Sequence, residues 1–235
     1  MIYRTALAAA CLAVAAPTAF AQGITGGELG IEYNAPTNGS DFGGTTYSGG
    51  IEYGFMQTFS VSANAAGYKP DGISTTASNV TLHGSYHLSS SASVGAFYAR
   101  DSVDGGDANI YGIEGGTEFM GGDVGGYIGK ADGEDGDGTL LGVEGSYGLR
   151  SGFSVIGEAD LFNVDDVTLS QIAIGGQYQM QAGPEFYAQI GRITGDVGDE
   201  SDSVGFIGIG AKVSFGASRG TTFTNRSIFE VLPGF

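Results

Sequence analysis

Apolar and polar residues alternate with a period of two along nearly the whole chain, and that pattern decides which folds are open to it. Over 47–55, Tyr47, Gly49, Ile51, Tyr53 and Phe55 share one face, while Ser48, Gly50, Glu52 and Gly54 share the other. Successive side chains of a strand point to opposite sides, so such a segment is a strand with one oily and one polar face. Over 80–88, Val80, Leu82, Gly84, Tyr86 and Leu88 oppose Thr81, His83, Ser85 and His87. Over 207–215, Ile207, Ile209, Ala211, Val213 and Phe215 oppose Gly208, Gly210, Lys212 and Ser214. No long stretch keeps a helical apolar period. Twelve segments alternate in this way, at roughly 26–34, 45–56, 58–68, 78–88, 91–100, 108–119, 122–131, 138–148, 152–163, 167–180, 185–194 and 203–215. Most are long enough to cross a bilayer at a tilt.

In lipid every backbone N–H and C=O must be paired within the protein, so a sheet crosses a membrane only as a closed barrel. The expected fold is all-β: a transmembrane, antiparallel, up-and-down β-barrel of about 12 strands. Tight turns near Gln57, 89–91, 120–121, 150–151 and 181–184 alternate with longer acidic loops near 35–44, 69–77, 101–107, 132–137, 164–166 and 195–202. Short turns on one side and longer loops on the other place the turns in the periplasm and the loops outside. Pro184 falls in a turn, where no ladder donor is needed. Glycine is abundant, at 44 residues, but follows no three-residue repeat, which excludes collagen.

The start of the chain reads as a secretory signal peptide over 1–21. Arg4 gives the positive n-region, 6–16 the short apolar run, and Ala19-Phe20-Ala21 the small-residue cleavage site. The barrel then covers 22–215, and 216–235 is expected as a periplasmic tail. Cys11, the lone cysteine, lies in the signal, so the mature chain has no disulfide and no thiol nucleophile. Loss of Arg4 leaves 8 basic residues against 26 acidic ones, a net charge of −18 that excludes nucleic acid as a partner.

The acidic residues are sorted. Aspartates cluster in the loops, where a short carboxylate bonds nearby backbone. Glutamates fall on the polar strand face, where an unusual strand residue needs a wet interior. The expected pore-lining carboxylates are Glu28, Glu32, Glu52, Glu114, Glu118, Glu144, Glu158 and Asp160. His83, Ser85, His87, Gln171, Gln177 and Lys212 share that lining. Such a lumen favours cations. Arg100, Lys130, Arg150, Arg192 and Lys212 are the available counter-charges. Inner-face glycines leave open lumen or relieve strain where the sheet bends. The run Asp132, Glu134, Asp135 and Asp137 has the oxygen donors and glycines of a divalent-cation loop but not the spacing of an EF-hand.

Two resemblances follow from these residues. His83-Gly84-Ser85 resembles the His-x-Ser pair of outer-membrane lipid hydrolases of the phospholipase A and lipid A deacylase types. That family needs an orienting Asn or Glu on a neighbouring strand, and 94–98 offers none. The region from about 26 to 215 resembles the porin-like outer-membrane barrels of alphaproteobacteria. It does so in the Ala19-Phe20-Ala21 signal end, the glycine-rich 48–55 strand and the closing 208–215 strand. The resemblance implies a Gram-negative outer-membrane channel for passive diffusion of small solutes, without catalytic residues or cofactor. Outer-membrane lipids with lipopolysaccharide, and the barrel-assembly machinery, are the implied partners. The alternatives are a non-conducting barrel for surface adhesion or structure, a lipid hydrolase using His83 and Ser85, and a soluble secreted β-sandwich. The last 20 residues either hang in the periplasm or fold into the lumen as a plug.

Overall fold

The computed structural model describes residues 23–39, 43–56, 58–72, 74–104, 106–133, 136–181, 183–198, 200–216 and 221–232. The segment read as a signal peptide lies outside them. Twelve strands follow in order: β1 (Gly23–Pro36), β2 (Gly44–Gly54), β3 (Phe59–Pro70), β4 (Ala77–His87), β5 (Ala92–Val103), β6 (Gly106–Phe119), β7 (Gly122–Gly133), β8 (Gly136–Gly148), β9 (Phe153–Val164), β10 (Val167–Gln179), β11 (Glu185–Val197) and β12 (Glu200–Gly216). Each pairs antiparallel with its chain neighbours, and β1 pairs with β12 through Leu29↔Val213, so the sheet closes without an edge.

The strands overrun the acidic segments. Only residues 104–105, 134–135, 165–166 and 198–199 separate β5 from β6, β7 from β8, β9 from β10 and β11 from β12. The acidic end is therefore built mostly of paired strand, because each added rung satisfies backbone groups that a loose loop leaves to water. Asp132 and Asp137 sit opposite each other on such an extension, both exposed. Glu134 and Asp135 lie outside the described residues. No group of three or more acidic, His or Cys residues is arranged to hold a metal among the described residues. At the other end, Met120 (φ 53°) and Gly121 (φ 85°) make the two-residue, left-handed turn that a right-twisted hairpin requires.

Burial is inverted relative to a water-soluble protein. Leu29, Ile31, Ile51, Leu82, Ile113, Ile174 and Ile209 are exposed on the outer wall, while Asn34, Glu52, Asn79, Thr81 and His83 are buried inside. One closed sheet with an oily exterior is not a sandwich of two sheets. Ile31, beside Ala211 and Tyr47 on the outward face, tests the lipid contact. Ile31→Lys is expected to cost about 2–4 kcal/mol near the bilayer midplane. The measurement is the urea midpoint for refolding into lipid vesicles, and an unchanged midpoint contradicts a lipid-facing Ile31.

The tail departs from the expected periplasmic position. Residues 221–232 lie inside the barrel. Thr222 N–H donates to Glu52 Oε2 (2.8 Å) near the turn end of the barrel. The Phe223 carbonyl accepts from Asn64 (2.8 Å) further in. Beyond it, Phe229 stacks on Tyr68 at 5.2 Å and packs with Ala66 and Ala77 at the acidic end. Val231, fully buried, joins Ile110, Ala131, Leu140 and Phe162 there. The reason is chemical. An acidic, polar lumen is a poor place for empty space, and the tail brings a cation, hydroxyls and apolar side chains that fit it.

Candidate functional site: a lumen shared with the tail

Arg226 organises the tail side of the lumen. It is 2% exposed. Its Nε donates to Glu114 Oε2 at 3.0 Å, and its Nη atoms reach Glu144 Oε1 at 3.4 Å. The guanidinium carbon lies 4.3 Å from the centre of the Tyr127 ring, a cation–π contact. Burial opposes its charge, but Glu144 and Glu114 outweigh burial and hold the guanidinium above its ordinary pKa. Glu114 takes a second partner, His83 Nδ1, at 2.6 Å. Thr81 brackets the Arg226 backbone, accepting from its N–H (3.1 Å) and donating to its carbonyl (3.4 Å).

A second anchor is Asp101 on β5. Its Oδ1 accepts from Asn79 (2.6 Å) and Ser227 (2.9 Å), and its Oδ2 from the Ile228 N–H (2.8 Å). Ser227 also caps the 3-10 turn Ile228–Glu230. Burial pushes the Glu230 carboxyl well above its ordinary value, against the pull of Arg226.

The other wall carries carboxylates held by neutral donors. Glu158 Oε1 accepts from Gln171 (2.7 Å) and Gln189 (3.3 Å). Glu32 accepts from Asn34 (2.5 Å) and Tyr187. Asp160 accepts from Tyr127 (2.7 Å). Lys212 pairs with Glu185 at 3.3 Å, and Gln177 donates to the same carboxylate (2.6 Å). Glu28 accepts weakly from Thr221 (3.4 Å). The side chains of Glu144 and Lys212 point inward yet remain 44% and 37% exposed, so accessible space persists beside the tail.

The expected lining is therefore split. Glu28, Glu32, Glu144, Glu158, Asp160, Gln171, Gln177 and Lys212 do face inward. Glu52 and Glu114 also point inward but are sealed beneath the tail. Glu118 is exposed at the turn-end mouth, and His87 bonds Ser60 (3.0 Å) and Ser93 (2.8 Å) near it. Arg100, Lys130 and Arg192 do not serve as lumen counter-charges, because their strand parity turns them outward. Arg100 pairs with Asp107 on the outer surface. Among the described residues, the lumen's cations are Lys212 and the tail's Arg226.

The inner glycines do not leave open lumen. A Cβ on Gly142 would strike the Asp160 carboxylate and the Tyr127 ring, and one on Gly210 the Tyr187 ring. Neighbouring side chains already lie across these positions.

The His-x-Ser pair gains one feature and loses another. An orienting carboxylate exists, Glu114, supplied from β6 rather than from the adjacent strand. But His83 and Ser85 are each 3% exposed and face the lumen, and the Phe223 ring lies 6.2 Å from the His83 ring. Lipid outside the wall does not reach them.

Solved structures share this architecture. The KdgM porin superposes with a TM-score of 0.60 at 12% identity, covering 80% of this chain and 99% of its own. The NanC porin gives 0.58 at 11%, covering 80% and 98%. The fold is that of an outer-membrane porin barrel. LpxR from Salmonella typhimurium also aligns, at 0.50 and 11%, covering 80% and 99%. No family model matches the chain, and no curated protein matches it. At these identities the likeness is one of fold.

Sequence reasoning placed the amides of Gln171 and Gln177 but missed Arg226, Asp101, Gln189 and the phenols of Tyr127 and Tyr187. Asp101 was legible, since it continues the inward alternation of Phe97 and Ala99. Arg226 had no position in the sequence pattern, because the tail has no alternation to place it.

Proposed function

We propose that the protein is a narrow Gram-negative outer-membrane channel for small solutes, preferring cations, whose bore is the part of the lumen that the tail leaves free. One observation carries the reading. Inward carboxylates on β1, β8, β9 and β11 face that space with Lys212 as the single barrel-borne cation among the described residues. Neutral amides and phenols orient these groups without cancelling negative charge, and a low-dielectric wall focuses the resulting field. The porin fold supports the location and the channel class.

The test is a reversal potential across a salt gradient in planar bilayers. Glu32→Gln combined with Glu158→Gln is expected to move it towards zero, as the cation preference weakens. An unchanged potential contradicts an acidic bore. Glu114→Gln is a poor probe of selectivity, since that carboxylate is sealed between His83 and Arg226 and its loss acts on the tail.

The tail itself favours a second reading, a non-conducting barrel. Liposome swelling separates the two: uptake of small solutes supports the channel, and its absence supports the closed barrel.

A further inference from the structure

The outer wall is not uniformly convex. A groove of about 840 Å³ runs across β7 to β11, and its lining is mostly apolar. Register explains it. Gly145 on β8 lies directly opposite Gly157 on β9, both on the outward face, and Val124 and Ile174 flank the pair. Two adjacent residues without side chains leave a dent among larger ones.

Four charged residues line it, Asp123, Glu144, Glu158 and Arg192; strand parity turns the three acids inward and Arg192 outward. Arg192 projects outward from β11, level with Ile172 and five residues from the acidic end of its strand. Among the described residues no carboxylate lies within ion-pair distance of its guanidinium. Arg100, by contrast, is neutralised by Asp107 at its own place on the wall. An unpaired guanidinium beside lipid carries a cost that an anionic partner removes. Its planar fork matches phosphate oxygens two at a time.

We propose that this groove is a lipid site for lipid A, the phosphorylated lipid of the outer leaflet, with a phosphate on Arg192 and an acyl chain over Gly145 and Gly157. Charge complementarity selects the head and the glycine pair accommodates the chain. Arg192 lies towards the acidic end of the barrel, opposite the tight turns, the end that meets the outer leaflet. The inference rests on the membrane-spanning part of the reading above and not on conduction.

The experiment is native mass spectrometry of the full-length protein in detergent, titrated in separate arms with lipid A, phosphatidylglycerol and phosphatidylethanolamine. Wild type is expected to retain one lipid A in preference to both glycerolipids. Arg192→Gln should lower that retention roughly tenfold, the worth of a charge-assisted contact, and Arg192→Lys should keep part of it. Gly157→Leu fills the groove and should displace the lipid. A Cβ there meets nothing closer than the Ala173 carbonyl oxygen at 3.6 Å, so the backbone has room for a side chain. Heat-modifiable gel migration confirms insertion for each, which separates failure of the lipid site from failure of the barrel reading. Equal retention by wild type and both Arg192→Gln and Gly157→Leu overturns the proposal. So does equal binding of the three lipids, or a dimer that these substitutions dissolve.

Discussion

A chain that stops at Gly216 is expected to conduct severalfold better than the full-length protein in planar bilayers. Barrels of eight strands are filled by their own side chains, and barrels of sixteen hold an aqueous channel. Twelve strands enclose an intermediate lumen, and here the tail takes a large share of it. Phe223, Arg226, Phe229 and Val231 are all buried against the inner wall. Truncation replaces them with water and also removes Arg226, which leaves Lys212 as the one inward cation among the described barrel residues, so cation preference should rise with conductance. The barrel itself should survive, because its closure runs through the β1–β12 ladder and not through the tail. Equal conductance in the two chains would mean that the tail does not occupy the conducting path.

Arg226→Ala is expected to reproduce much of the truncation with a single substitution. Glu114 is fully buried, and Arg226 is its strong cationic partner. Removing one member of a buried ion pair costs about 3–5 kcal/mol, because the other is left charged in a low-dielectric place. The tail can relieve that cost by undocking, which admits water to Glu114. The loss therefore falls on docking and not on the ladders of β4 to β8. Arg226→Lys should rescue only in part. An ammonium offers no fork to engage Glu114 and Glu144 together, and it stacks less well on Tyr127. The readouts are single-channel conductance and protease cleavage of the tail in refolded protein. Wild-type conductance with a protected tail in Arg226→Ala would contradict the anchor.

The barrel was legible in the sequence because lipid imposes one rule on every strand. Ile207, Ile209, Ala211 and Val213 must face one way, and Gly208, Gly210 and Lys212 the other, so period two survives along the chain. Strand ends were less legible. Asp101 was read as a loop residue from its type, yet the ladder continues past it to Val103 and turns its carboxylate inward. The occupied lumen was not legible from pattern. Docking of 221–232 depends on point matches, such as Thr222 with Glu52 and Ser227 with Asp101, which leave no periodicity. The acidic excess of the inner face did show that a cation was wanted there. Arg226 meets that want from outside the alternating region.

The chain's own tail lies in the lumen it would otherwise leave open. The direct measurement is a cross-link between Ala131→Cys on β7 and Val231→Cys in the tail. The two residues share one buried cluster, and both replacements are small. The chain's only native cysteine, Cys11, lies in the segment read as a signal peptide, so these would be the only thiols after its removal. With a short bifunctional thiol reagent, an intramolecular cross-link is expected in protein folded in a bilayer, with conductance locked at its full-length value. A folded barrel that fails to cross-link, with Val231→Cys open to a bulky water-soluble maleimide, contradicts it.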